Sequence, residues 1–259
     1  MLKLSDYESV RTRSPGRPIM RQSWHDLLFL HAEVDPQLIQ DQLPPKLQVD
    51  TFRTEDGQER SYIGLVAFTM SGIRPPGLPS LPYFCAFPEL NVRTYVHHKG
   101  KNPGVWFFSL DAARKIACIV ARQTFGLPYF HAKMSCKQQN GVISYKSKRI
   151  ERPITQTSLE YQRGERIGPA NPGSFEFWLV ERYLLYSVHQ GQLMAGRVVH
   201  EPYVIHRANL LECRTDALSW LGLETPNWVH CCASPGVQVE VMALQNADAA
   251  QMIPGFAPA

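Results

Sequence analysis

Five polar residues occupy every second position of the stretch FCAFPELNVRTYVHH: Glu89, Asn91, Arg93, Tyr95 and His97. Side chains alternate across an extended backbone, so a strand here puts all five on one face and Leu90, Val92, Thr94 and Val96 on the other. A carboxylate, an amide, a guanidinium and a phenol on a common face can bind an organic anion and act on it. In such a site Glu89 transfers a proton, Arg93 pairs with the anionic group, and Asn91 and Tyr95 fix orientation. At roughly 3.4 Å per residue the Cα atoms of Glu89 and Arg93 are about 13 Å apart, within reach of one shared ligand for two long side chains. Downstream, Tyr129 offers a second phenol as donor or weak acid, making Glu89 and Tyr129 the catalytic candidates. His131 joins Asn91, Arg93 and Tyr95 as a ligand-binding candidate. The plainer alternatives are a solvated face or a structural charge network, and for His131, His200 and Glu181 a satisfied polar group of the core or surface.

Other motifs are thin. His230-Cys231-Cys232 places three metal-ligating types together, but neighbours on a strand point to opposite sides and no CxxC or HxxxH pair completes a tetrahedral set. No metal or other cofactor is therefore expected. The chain has no GxSxG, P-loop or GxGxxG sequence to support a hydrolase or nucleotide reading.

The elements around these residues must hold the polar face in place. The polar strand leads through KGKNPG, a hairpin connection, into VWFFSL, then a helix in DAARKIACIVARQTF capped by Asp111, then GLP and a strand in YFHAK. That helix is expected to bury Ala113, Ile116, Ala117, Ile119 and Val120. Upstream, Trp24–Val34 reads as a strand. Asp35-Pro36 starts a short helix that Pro44-Pro45 ends. Leu47–Phe52 and Tyr62–Met70 are strands, the latter apolar on both faces and so central. Gly72–Leu81, rich in Pro and Gly, is a stiff loop. Downstream, Met134–Ser135, Val142–Lys148 and Thr155–Gln162 read as strands, with Asn140-Gly141 as a tight turn. Asn171-Pro172 opens a buried helix over FEFWLVERYLLY, whose Glu181 and Arg182 would need partners. Leu193–Val199 and Val237–Ala243 are strands, and Asp216–Gly222 is a short helix. The sum is an α+β, mainly antiparallel β architecture with a few packed helices and an interior pocket.

At 259 residues and 44% hydrophobic, the chain can bury a large core without splitting. One domain over residues 23–244 is expected, with 1–22 a flexible basic tail and 245–259 a C-terminal tail. Residues 1–22 carry net +3 of the formal +4, so the basic excess is not spread over a folded face as nucleic-acid binding requires. No apolar run approaches the roughly 20 residues of a membrane span, and the N-terminus lacks a signal-peptide core. A soluble, cytoplasmic protein follows, with six scattered cysteines as free thiols. A homodimer is expected, since exposed edge strands need covering.

The segments WHDLLFLHAEVDP, LPPKLQVDTF, YIGLVAFTM, FPELNVRTYV, GVWFFSLDAA, LPYFHAKM and LVERYLLY resemble, in order, those of the YqjF-like family of bacterial proteins, a domain of unknown function. The resemblance runs from about Trp24 to about Val241. It implies an acetoacetate decarboxylase-like fold, a β-barrel-type structure with a buried apolar pocket. In those decarboxylases a lysine forms a Schiff base with the substrate, and a second lysine beside it lowers its pKa. Their motif, similar to Gly-Arg-Glu-x-x-Gly-x-Pro-Lys-Lys, corresponds here to Ala121-Arg122-Gln123-Thr124-Phe125-Gly126-Leu127-Pro128-Tyr129-Phe130. Tyr129 and Phe130 stand where both lysines would be, and neither forms an imine, so Schiff-base decarboxylation is not expected. Lys133 lies four residues on, out of place for the role. Glu89 is similar in position to an acidic residue of the decarboxylase pocket.

Overall fold

The structure, a computed structural model, describes residues 2–11, 16–80, 86–224 and 226–249. In chain order the elements are α1 (Leu4–Arg11), β1 (Met20–Val34), α2 (Pro36–Gln40), β2 (Leu47–Val49), β3 (Phe52–Arg53), β4 (Glu59–Arg74), β5 (Ala86–His98), β6 (Lys101–Ala112) and α3 (Lys115–Phe125). They continue as β7 (Tyr129–Gln139), β8 (Val142–Arg149), β9 (Gln156–Gly168), α4 (Phe175–Val180), β10 (Leu184–His189), β11 (Gln192–Val199), β12 (Ile205–Thr215), β13 (Trp228–Val241) and β14 (Gln245–Asn246). Pairing is antiparallel except where β6 meets β7 and β10.

The strands close two circuits that share one wall. The shared wall runs β13-β1-β4-β5-β6; β7, β8, β9 and β12 close one circuit, and β10 and β11 close the other. The middle strands of that wall, β1, β4 and β5, therefore bury both faces along much of their length. Leu28, Leu30, Ile63, Leu65, Leu90 and Val92 meet Tyr145 and Tyr161 in one core, and Phe29, Val66, Phe68, Phe107 and Leu110 meet Phe177 and Trp178 in the other. This is why Tyr62–Met70 reads as apolar on both faces. Where β10 runs beside β6 the backbones touch: a Cβ on Gly104 would come within 2.8 Å of the Leu184 carbonyl oxygen, so glycine is required there.

Several expectations hold. Asp35 caps α2 by accepting from the Gln37 N–H at 2.8 Å, and Asn140-Gly141 turns with φ of 50° and 79°. Other expectations are corrected. The β5–β6 hairpin turns at Lys99-Gly100, and Pro103-Gly104 belong to β6. Asp111 does not cap a helix; it lies buried in β6 and accepts from Arg149 Nε at 2.7 Å, a stronger partner than a helix N–H. α3 starts after Arg114, which makes no side-chain cap; Ile116 and Ile119 are exposed, Val120, though half-exposed, reaches the cavity with Ala117, Ala121 and Phe125, and Cys118 is buried. FEFWLVERYLLY is helical only to Val180: Arg182 turns back and donates from Nε to the Trp178 carbonyl at 2.7 Å, and Leu184 begins β10. β12, absent from the sequence reading, pairs with β9.

The N-terminal segment is less tail-like than expected. α1 buries Tyr7 and Val10, the Tyr7 hydroxyl donates to Asp50, and Met20–Gln22 already belong to β1. Similarly, Gln245–Asn246 pair with β11 and Ala247 is buried. Phe84 and Cys85, read as strand, Leu81 of the proline-rich loop, and residues 250–259 lie outside the described residues. The five described cysteines are free.

Candidate functional site

Inside the circuit closed by β10 and β11 lies a cavity of about 190 Å³. β1, β4, β5 and β6 wall it, and Ala117, Val120, Ala121 and Phe125 of α3 cover one end. Its lining is mostly aliphatic and aromatic. The polar exceptions are Gln22, Glu89, Asn91, Arg93, Arg182 and the phenols of Tyr129 and Tyr203. Larger grooves elsewhere are open to the surface and contain none of these seven residues.

Strand alternation delivers the β5 set as the sequence implies. Across β4 and β6, Glu89 sits between Phe68 and Ala112, and Asn91 between Val66 and Leu110. Arg93 sits between Gly64 and Phe107. A bulge at Phe108 shifts the β6 register and keeps Phe107 and Val105 on the cavity side with Leu110.

Glu89 is only 2% exposed. Burial among apolar groups raises its carboxyl to about 8, against hydrogen bonding from Tyr129 and Asn91, with the Asp111 charge adding to the rise. The Tyr129 hydroxyl donates to Glu89 Oε2 at 3.1 Å, and burial together with that carboxylate pushes its own pKa well up. At neutral pH the pair is thus a neutral acid and a neutral phenol. Phe130 points the other way, under Arg149 at 4.1 Å from Cζ to the ring centroid.

Arg93 is buried with no carboxylate within ion-pair distance among the described residues. Its Nη2 lies 3.5 Å from the Leu179 carbonyl, and its Nε is buried without a partner. Asn91 Oδ1 is also an unpaired buried acceptor. Gly64 makes the room: a Cβ there would stand 3.4 Å from Arg93 Cγ and 3.3 Å from His31 Cδ2. Arg182, by contrast, is neutralised by Asp50, with Nη1 to Oδ2 at 2.7 Å. That answers the expectation that Arg182 needs a partner. Glu181 accepts from the Tyr183 hydroxyl and from the Tyr203 N–H.

Two candidates do not line the cavity. Tyr95 is fully buried behind Arg93, its ring on Trp178 at 4.7 Å and its hydroxyl 2.6 Å from His31 Nε2. The packing of α4 fills the space its phenol would need. His131 pairs with Ala112 at the last point where β7 follows β6, then lies beside Glu151, past the cavity wall. His97 sits at the hairpin end, its Nδ1 accepting from Gly100 N–H. The sequence reading missed Gly64, His31 and Asp50. A glycine inside an otherwise apolar strand was the available signal for the first; the other two depend on distant pairings.

Known proteins are similar along most of the chain. The uncharacterized protein YqjF of Bacillus subtilis (strain 168) is 38% identical over 190 residues, 73% of this chain and 76% of its own. Solved structures share the fold at low identity. An acetoacetate decarboxylase-like enzyme from Sphingomonas wittichii RW1 matches with a TM-score of 0.60 at 11% identity, covering 92% of this chain and 97% of its own. The acetoacetate decarboxylase of Legionella pneumophila gives 0.57 at 15%, covering 94% and 97%. The enduracididine biosynthesis enzyme MppR complexed with pyruvate gives 0.58 at 13%, covering 91% and 92%. The fold is thus acetoacetate decarboxylase-like, and with the family model of an uncharacterized conserved protein matching residues 21–238, the chain belongs to the DUF2071 family.

Proposed function

We propose that the cavity binds a small organic anion, with Arg93 as its counter-ion, and that Glu89 with Tyr129 moves a proton on it without an imine-forming lysine. The observation that carries this is Arg93: a buried guanidinium beside an apolar cavity, with no carboxylate of the described chain to neutralise it. Burying an unpaired charge is costly, and a ligand carboxylate supplies the missing partner in bidentate geometry. Glu89, neutral at pH 7, leaves the cavity positive. With its pKa near the working pH, it can take or give a proton. The small volume and apolar walls favour a short aliphatic or 2-oxo acid, in keeping with the pyruvate held by MppR.

Two observations speak against an imine. Among the described residues no lysine lines the cavity, and Lys133 is exposed in an open groove with Lys146 and Lys148. Incubation with acetoacetate and borohydride should leave no reduced adduct by mass spectrometry.

A second reading is ligand binding without turnover, as in a sensor. It is favoured by the Tyr129–Glu89 hydrogen bond, which satisfies the two groups with each other. Thermal shift against a panel of small organic acids, followed by turnover assays on the hits, separates the two readings: conversion supports the enzyme, binding alone the sensor. Self-association as a homodimer belongs to either reading and is checked by light scattering.

A further inference from the structure

We infer that Tyr95, His31 and His230 form a hydrogen-bond chain of fixed polarity that positions Arg93 at the cavity. The inference rests on the reading of Arg93 as the anion's partner. His230, His31, Gly64 and Arg93 are consecutive cross-strand neighbours on β13, β1, β4 and β5, on one face of the shared wall. His31 is fully buried, and both of its ring nitrogens are engaged: Nε2 lies 2.6 Å from the Tyr95 hydroxyl and Nδ1 lies 3.0 Å from His230 Nδ1. The chain begins beside the cavity cation and ends at a partly exposed imidazole.

Counting donors and acceptors fixes the protons. Tyr95 lies between two cations, with Arg93 Cζ 5.8 Å and Arg182 Cζ 4.8 Å from its ring centroid. Burial raises the Tyr95 pKa, while the Arg93 charge and a side-chain hydrogen bond from Arg93 work against that rise, so the phenol oxygen accepts from the guanidinium and its O–H donates away from it, to His31 Nε2 at 2.6 Å. A neutral His31 then carries its proton on Nδ1 and donates to His230 Nδ1, which leaves the His230 proton on Nε2. Burial, His230 and Arg93 all keep His31 neutral. The opposite polarity fails at Tyr95. If His31 Nε2–H donated to the phenol, the Tyr95 hydrogen would need another acceptor in a fully buried site, and among the described residues the only acceptor within its reach is His31 Nε2. The groups facing His230 are His31 on β1 and Phe175 and Glu176 on α4, with the Arg93 charge acting on His31 next in line. Tyr95, His31 and His230 are therefore positioning residues: the chain aims a phenol lone pair at Arg93 and frees the remaining guanidinium N–H groups for a ligand.

Nitrogen NMR of isotope-labelled histidine in the full chain, without ligand, reads the tautomers directly. At neutral pH, His31 is expected to be protonated on Nδ1 and His230 on Nε2; a His31 proton on Nε2 would overturn the inference. Positioning is read from solvent exchange of the Arg93 guanidinium N–H groups. His230→Gln, whose amide oxygen can accept from His31 Nδ1, should keep the wild-type rate. His230→Leu should raise it about fivefold, equivalent to one net hydrogen bond of about 1 kcal/mol. Tyr95→Phe, which removes only the hydroxyl, should match His230→Leu and serves if the leucine variant does not fold. Unchanged exchange in Tyr95→Phe would refute the positioning role. These readouts need no ligand, so a failure of acetate to bind would count against the anion reading alone.

Discussion

Replacing Glu89 by glutamine keeps the shape of the site and removes its ionisation. In the folded protein the carboxyl titrates near 8, whereas in the unfolded chain it titrates near 4.5. Between those values the folded state holds a proton that the unfolded state has lost, so stability falls as pH rises through this window. Each unit costs about 1.4 kcal/mol, which puts a ceiling of about 4 kcal/mol on the loss between pH 5 and pH 8, less whatever water entry relieves. Glu89→Gln does not incur this loss, and it keeps an acceptor for the Tyr129 hydroxyl. The two proteins should therefore have similar stability at pH 5, and the variant should pull ahead by a few kcal/mol at pH 8. For a chain of this size, about 2–4 °C of Tm per kcal/mol makes that a gap on the order of 10 °C. Thermal or urea melts of both proteins at pH 5, 6, 7 and 8 measure it, and other titrating groups cancel in the difference. A gap that stays constant with pH would show that Glu89 ionises normally in the folded state, and the reasoning about its burial would be refuted.

Asp50→Ala leaves the Arg182 guanidinium buried without its carboxylate and should cost about 3–5 kcal/mol in urea denaturation. Gly64→Val places methyl groups against His31 and Arg93, and should both destabilise the fold by about 1–3 kcal/mol and abolish anion binding, as seen by titration. Binding of methanesulfonate, whose charge is constant with pH, should weaken as Glu89 ionises through about 8, and in Glu89→Gln this pH dependence should disappear.

The polar face of β5 was legible because strand alternation is strict and an apolar wall leaves polar residues conspicuous. The central position of β4 was legible for a related reason, since a strand buried on both faces has no polar side. What could not be read was long-range pairing. Asp111 looked like a helix cap because its local sequence fits one, and only Arg149, brought alongside by β7 and β8, makes it a buried ion pair. Tyr95 looked like a cavity residue because its face is right, but Trp178 and His31, 83 and 64 positions away, claim its ring and hydroxyl. The α1 segment was read by its charge, while Tyr7 and Val10 make the contacts that hold it. In α3 the aliphatic residues are numerous enough to suggest either face, and the choice depends on where the cavity lies.

The central claim is that Arg93 in this cavity is the counter-ion of a small organic anion. Calorimetric titration of pyruvate at pH 7 into wild type and Arg93→Met, with pyruvamide as the uncharged control, tests it most directly. The account predicts measurable pyruvate binding by wild type, at least a tenfold loss in the variant, equivalent to about 1.4 kcal/mol or more, and no binding of the amide. Equal affinity of the two proteins for pyruvate, or equal affinity of wild type for acid and amide, would contradict it.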